Sequence, residues 1–268
     1  MNETYYYGQG KVYLARRDEN GRPGSFRWVG DVSELTITLA FEQKTVKTSR
    51  GGKLVNTRRY LTSQAGSVTS KWHNFSSENL SLLLNSEVVR NYPRIIENEV
   101  LPPNISEGDR IALSYHNNVW GVEVNGLTEG RDYTVDGPWG MIEFLTTPVN
   151  QPVRVDYARA NSTTLPIFNG KIDEFAFRYE SLNLAESNQR MLVELYRLSF
   201  EPLTTFQLIN NDVKIAAIDT AAEVMYDLTR VDDPIFGRFG RVTVIETLSG
   251  ITHNGAINYD GRYLHGGN

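Results

Sequence analysis

The residues able to carry acid–base, nucleophilic or metal chemistry in this chain are few and scattered. Its four histidines, His73, His116, His253 and His265, show no His-x-x-x-His or comparable ligand spacing. Cysteine is absent, which removes thiol nucleophiles, disulfides and thiolate metal ligands. Asp232 and Asp233 precede Pro234 and read as a turn, and no local pattern supplies the partner that a glycosidase carboxylate pair needs. Gly8 and Gly10 lack the third glycine and the following helix of a phosphate loop. No triad or metal set assembles, so the expectation is a non-enzyme with no catalytic residue, no metal and no cofactor.

Two neighbouring segments carry chemistry of another kind. Residues 43–60 hold Lys44, Lys47, Arg50, Lys53, Arg58 and Arg59 and no acid, around Gly51 and Gly52, with no core-forming period. A connection this long is usually functional or disordered. It reads as an arm whose charges meet an acidic surface on another subunit, as a solvated hairpin, or as a nucleic-acid contact. The last would need a stacking platform, and only Tyr60 is near.

Before this segment, residues 33–42 alternate cleanly. Leu35, Ile37, Leu39 and Phe41 point one way and Glu34, Thr36, Thr38, Ala40 and Glu42 the other, a strand with one dry and one wet face. A matching strand over 67–75 sets Val68 and Trp72 against Ser67, Thr69, Lys71 and His73. Together Glu34, Thr36, Thr38, Glu42, Ser67, Thr69 and Lys71 make a wall of hydroxyls and charges. Such a wall lines a channel or faces solvent; the alternation permits both.

The elements that must position these residues are mostly strands. A first strand is expected over 11–15, followed by turns at Asn20-Gly21 and Pro23-Gly24. One helix is expected over 78–89, capped by Ser76 or Ser77, with Leu80, Leu83, Leu84 and Val88 forming its buried stripe. Short strands follow over 110–115, 119–124, 132–135, 141–145 and 153–157, a small meander or sandwich inserted at 94–161. Further strands are expected over 171–179, 191–200 and 204–209, with one or two more in 213–226. The division is therefore a main domain in two parts, 1–93 and 162–228, an insert at 94–161, and a Gly- and Asn-rich carboxy-terminal arm at 229–268.

Composition narrows the class. With 268 residues, 40% of them hydrophobic, the chain can bury a core and is not expected to be disordered. Its net charge of −5 is the opposite of what gripping DNA phosphates requires, and it leaves open a protein that merely contains or passes DNA, since repulsion from a wall can be useful. The first residues lack the basic start and apolar run of a signal peptide, and no stretch reaches the roughly 18 apolar residues of a membrane helix. A soluble protein made in a cytoplasm, with no membrane partner, is expected.

In this order, a wet-and-dry strand, a long hairpin loop, a matching strand, one helix and a later strand pair resemble the major tail tube proteins of long-tailed bacteriophages. Residues 35–42, the basic loop and residues 66–75 look like that family's first inner hairpin with its protruding loop. Residues 193–202 followed by 206–212 look like its second. Residues 130–136 with 140–144 are similar to a hairpin recurrent in phage structural proteins. The segment 94–161 departs from the minimal family pattern.

The resemblance implies a mainly β fold, a tail-tube-type β-sandwich or barrel with a flanking helix, a long hairpin loop and an inserted small β subdomain. It further implies hexameric rings that stack into the virion's tail tube, a conduit for DNA ejection assembled in the bacterial cytoplasm. Glu34, Thr36, Thr38, Glu42, Ser67, Thr69 and Lys71 would then line the channel, and the basic loop would reach the next ring. Implied partners are further copies of the chain, the tape measure protein, tail terminator and baseplate or distal tail proteins, a sheath if the tail contracts, and DNA in transit. Two alternatives stay open: a β-sandwich recognition module of a baseplate or receptor-binding component, using Trp120 and Trp139, and a glycan-active enzyme.

Overall fold

The computed structural model of the chain describes residues 5–116, 118–185, 189–209, 215–231 and 233–245, and the pairing of two short strands beyond them. Strands β1 (Gly8–Arg16), β2 (Arg27–Trp28), β3 (Val32–Arg50) and β4 (Lys53–Trp72) precede helix α1 (Ser77–Leu83). Next come β5 (Val89–Asn91), β6 (Arg94–Val100), β7 (Arg110–Ala112), β8 (Val119–Val124), β9 (Tyr133–Asp136), β10 (Met141–Phe144), β11 (Arg154–Arg159) and β12 (Ser162–Thr164). The remaining strands are β13 (Glu174–Asn183), β14 (Gln189–Phe200), β15 (Ile218–Val224), β16 (Gly240–Ile245), β17 (Thr252–His253) and β18 (Ile257–Asn258). They form two units, Met1–Asn85 with Lys171–Asn268, and Ser86–Gly170.

In the first unit an eight-stranded sheet runs in the order β2-β1-β13-β14-β15-β4-β3, with β16 also pairing β14. Every pairing in it is antiparallel. Period-two alternation explains which face is covered: Ile218, Ala222 and Val224 of β15, Val68 and Trp72 of β4 and Phe177 of β13 are buried in one cluster. A polar chain crosses this apolar layer. Trp72 Nε1 donates to Ser70 Oγ at 2.8 Å, and that oxygen meets Thr220 Oγ1 at 2.7 Å, so the buried hydroxyls of β4 and β15 satisfy each other.

Helix α1 covers part of the same cluster through Leu80, Leu82 and Leu83. Ser76 caps it by accepting from the Asn79 backbone N–H. Buried Asn79 donates to Val29 O at 2.7 Å and accepts from Arg27 at 2.6 Å, which ties the helix to β2.

The second unit contains two three-stranded sheets, β7-β10-β9 and β6-β11-β8. Ile142, Phe144 and Tyr133 from one share a core with Val122, Val155 and Tyr157 from the other. Its ends are joined by the pairing of β5 with β12.

Several expectations need correction. The fold is mainly β with one flanking helix and several small sheets, but among the described residues no sheet closes into a barrel. Closure requires the first and last strands to meet, and here β2 pairs only with β1 and β3 only with β4. Residues 43–60 are not a loop: β3 and β4 stay paired out to Arg50 and Lys53, leaving Gly51-Gly52 as the turn.

The helix ends at Leu83 rather than near 89, because Asn85 takes φ +47° and the chain then enters β5; Val88 is exposed. Residues 204–209 form no strand. At Pro202, which has no N–H to donate, the chain leaves the sheet, and the Leu203 N–H bonds to Leu83 O instead. The resemblance of 193–202 and 206–212 to a second hairpin fails with it, since β14 pairs with β13, β15 and β16. Residues 210–214 lie outside the described residues. Of the expected arm at 229–268, residues 240–245 are strand β16 on β14, and most residues after 245 lie outside the described residues.

One ion pair is fully sequestered. Arg17 and Asp227 meet at 2.9 Å with side chains 3% and 2% exposed. Burial alone would push the Asp227 carboxyl up, but hydrogen bonds from Thr229 and Arg17 outweigh it and hold it below the ordinary carboxylate range. A depressed folded-state value stabilises the fold above the unfolded carboxyl's value of about 3.9 and loses that contribution as pH falls through the folded value. Urea midpoints should therefore hold steady between about pH 7 and 5 and fall below about pH 4. Asp227→Ala should cost about 3–5 kcal/mol at neutral pH and flatten that acid limb, as equilibrium unfolding would measure.

Candidate functional site

The register of β3 on β4 and of β4 on β15 decides what the polar face contains. Glu34 pairs with Lys71, Thr36 with Thr69 and Thr38 with Ser67, and Glu42 sits opposite Ser63. All seven residues of the expected polar wall therefore share one side of two strands. β15 extends each row: Asp219 lies beside Lys71, Ala221 beside Thr69 and Glu223 beside Ser67. Beyond Glu223 the row continues to Ser199 of β14.

This face is acidic. Lys71 Nζ reaches Glu34 Oε1 at 3.1 Å, and that hydrogen bond, with the charge behind it, raises the ammonium above its ordinary value. Glu42, Asp219 and Glu223 form no ion pair among the described residues. A depression of about 380 Å³ opens there, lined by Glu34, Lys71, Asp219, Glu201 and Thr204 among others. An anionic, hydroxyl-rich surface of this kind binds water and cations and repels polyanions.

The opposite face changes character along its length. Leu35 and Ile37 pack against the core, yet Leu39 is 76% and Phe41 62% exposed. The change falls where the third strand stops, since β15 accompanies β4 only from Gly66 to Trp72. Gly66 is itself confined, because a Cβ there would stand 3.1 Å from Val224 Cβ. From there outward, β3 and β4 form a free two-stranded ribbon.

The ribbon carries the basic residues. By register, Lys44 opposite Tyr60 and Arg58 opposite Val46 continue the face of Glu34, whereas Lys47 and Arg59 fall on the face of Phe41. Arg50 and Lys53 pair across the turn, where Gly51 and Gly52 take φ +60° and +77°. Two successive positive φ values match the right-handed twist of a hairpin and favour glycine. Leu54, Val55, Tyr60 and Leu61 add exposed apolar area. Thr48 Oγ1 and Thr57 Oγ1 link the strands at 2.8 Å.

Asp219, Glu223 and Ser199 join this face from strands far along the chain, beyond the reach of a local sequence pattern. A signal was present: Ile218, Thr220, Ala222 and Val224 alternate with Asp219, Ala221 and Glu223, a half-buried strand with two outward acids.

The remaining candidates do not come together. His73 Nδ1 donates to Ala216 O at 3.0 Å and His116 Nδ1 to Leu113 O at 3.1 Å, so each ring is held by backbone. His265 and Asp232 lie outside the described residues. Asp233 accepts from the Ile235 and Phe236 N–H groups, forming a turn. Gly10 lies within β1, where a Cβ would collide with Glu180 O. Among the described residues no group of three or more His, Asp or Glu side chains could hold a metal ion. Trp120 and Trp139 are 54% and 72% exposed.

Replacing both Gly51 and Gly52 by Val should loosen the ribbon without loosening the sheet. Amide exchange in residues 43–60 should accelerate while residues 66–72 and 218–224 keep their protection and the urea midpoint stays put.

No curated protein matches the chain. A family model described as Protein of unknown function UCP028589 matches residues 5–243. The chain belongs to that family.

Proposed function

We propose that the protein is a structural subunit, not an enzyme, that polymerises into the tail tube of a bacteriophage virion. The observation that carries this reading is the free ribbon with the strand edge leading to it. β3 has no partner on its outer side among the described residues, and the ribbon beyond Gly66 exposes Leu39, Phe41, Leu54 and Leu61. An edge of this length is an aggregation hazard unless an intended partner pairs with it. Covering each such side chain would contribute about 1.5–3 kcal/mol, enough together to drive association.

The resemblance to tail tube proteins supplies the rest of the reading: hexameric rings, stacking, a tape measure protein in the channel, tail terminator and baseplate or distal tail proteins at its ends, and DNA in transit. The polar face of β3, β4 and β15 then faces the channel, and its surplus carboxylates keep phosphates from sticking. The exposed Trp120 and Trp139 favour a second reading, a recognition module of a baseplate or receptor-binding component.

Electron microscopy of the purified chain separates the two. Rings or hollow tubes are expected, and uniformly compact, monodisperse particles would overturn the tube reading in favour of recognition. The double variant Leu39→Lys/Phe41→Lys, altering only exposed side chains, should keep wild-type circular dichroism and a urea midpoint within about 1 kcal/mol. It should nonetheless fail to polymerise, as should a variant lacking residues 45–58. Normal tubes from both would remove the ribbon from the interface.

A further inference from the structure

The arginines of the second unit are not all matched by acids. Arg110 pairs with Asp136 and Arg131 with Asp132, and Arg154 donates to Asn98 O. Arg90, Arg94 and Arg159 have no ion pair or side-chain hydrogen bond among the described residues, although residues 86–170 contain eleven acids against six bases. Acid is thus abundant in this unit, yet Arg94 and Arg159 are left without it, and unlike Arg90 they face each other.

Their placement makes the omission costly. Arg94 of β6 and Arg159 of β11 stand directly opposite each other in the antiparallel register, and Val119 of β8 completes the row. The row lies on the side of the sheet that carries buried Tyr157, at the end of the apolar core. Like charges directly opposite in a sheet destabilise it. Arg159 is also only 8% exposed, and its Nε is buried with no hydrogen-bond partner. A buried charge with neither counter-ion nor full hydrogen bonding is among the more expensive features a small β unit can retain.

The surroundings accommodate a cation but do not neutralise it. The Tyr115 ring lies 4.7 Å from the guanidinium carbon of Arg159, covering it by a cation–π contact that leaves its in-plane donors unused. His116, whose Nδ1 is committed to Leu113 O, follows Tyr115 in the same turn. One guanidinium, that of Arg159, is fixed by burial and stacking, and the other, on Arg94 directly across the register, is exposed. Together they supply the fork of N–H donors that matches the oxygens of a planar or tetrahedral oxyanion.

We propose that Arg94 and Arg159 form an oxyanion-binding site, taking a carboxylate or a phosphate group at the end of the β6-β11-β8 sheet. The bound anion cancels the cross-strand repulsion and supplies Arg159 with acceptors. The site stands on the second unit alone and does not depend on the assembly reading.

The test uses the full chain in thermal melts with inorganic phosphate, sodium acetate or sodium chloride at matched ionic strength. A saturable rise in Tm of about 2–4 °C with phosphate or acetate, beyond that with chloride, is expected. Response to phosphate alone identifies a phosphate-ester ligand, response to acetate alone a carboxylate, and response to both an unselective oxyanion site. Arg94→Gln changes an exposed residue and should fold normally while losing the anion-dependent rise. The Arg159 Nε–Hε resonance should shift on titration in wild type and stay fixed in Arg94→Gln. No rise beyond chloride, or an equal rise in Arg94→Gln, would overturn the site.

Discussion

The pairing of β4 with β15 between Gly66 and Trp72 is the contact on which the rest of the first unit depends. It joins strands some 150 residues apart in sequence, on either side of the whole second unit, and it is fastened by the buried Ser70–Thr220 hydroxyl pair and the Trp72 indole. Those hydroxyls could not sit in an apolar layer without each other. Their register brings Asp219 beside Lys71 and Glu223 beside Ser67, and so decides what the polar face displays. It also decides where support ends. Among the described residues nothing flanks the hairpin past Gly66, so one pairing defines both the clamped root and the free ribbon.

Charge is distributed to suit this arrangement. The second unit holds the chain's entire excess of acid, eleven acids against six bases, while the first unit carries 21 of each. Within the first unit six bases are concentrated in residues 43–60, which hold no acid, so its remaining surface is acidic. On the assembly proposed above, an acidic surface of either unit would attract the ribbon of another copy. Exposed charges of this kind are screened over about 10 Å at 0.1 M salt, so they select partners at close approach and contribute less to affinity than the apolar side chains beside them.

How much of this the sequence disclosed follows from which residues report on local and which on distant neighbours. The alternation over 33–42 reveals a strand because Leu35 and Ile37 must be dry; Leu39 and Phe41 continue the pattern, yet nothing in the sequence says that their cover stops. The strand expected over 119–124 is β8, whose Val119, Val122 and Val124 are all buried. The ribbon was illegible because it buries neither face, so it carries no hydrophobic period; only the Gly-Gly turn and its cross-strand register make it a hairpin. Residues 204–209 misled in the opposite way, with strand-forming residue types in a segment that Pro202 has already directed out of the sheet. The acids of β15 escape a local reading because a polar face assembled from distant strands leaves no single local signature.

The ribbon raises a last physical question, namely what keeps a free hairpin from pairing indiscriminately. Two-stranded hairpins are at best marginally stable in water, and among the described residues no third strand pairs with this one over most of its length. Its register slips twice, between Glu42 and Gln43 and between Val46 and Lys47, each time adding a residue on β4. Bulges bend a strand and sharpen its twist, which spoils the flat edge that an arbitrary strand would need as a template. Lys44 and Lys47 on the edge strand add a charge that a random apolar strand would have to desolvate. The cations that make the ribbon attractive to an acidic partner are therefore the same groups that guard it while it is alone. Selectivity follows without a separate device: only a surface offering both apolar cover for Leu39 and Phe41 and carboxylates for the lysines gains more than it loses by docking.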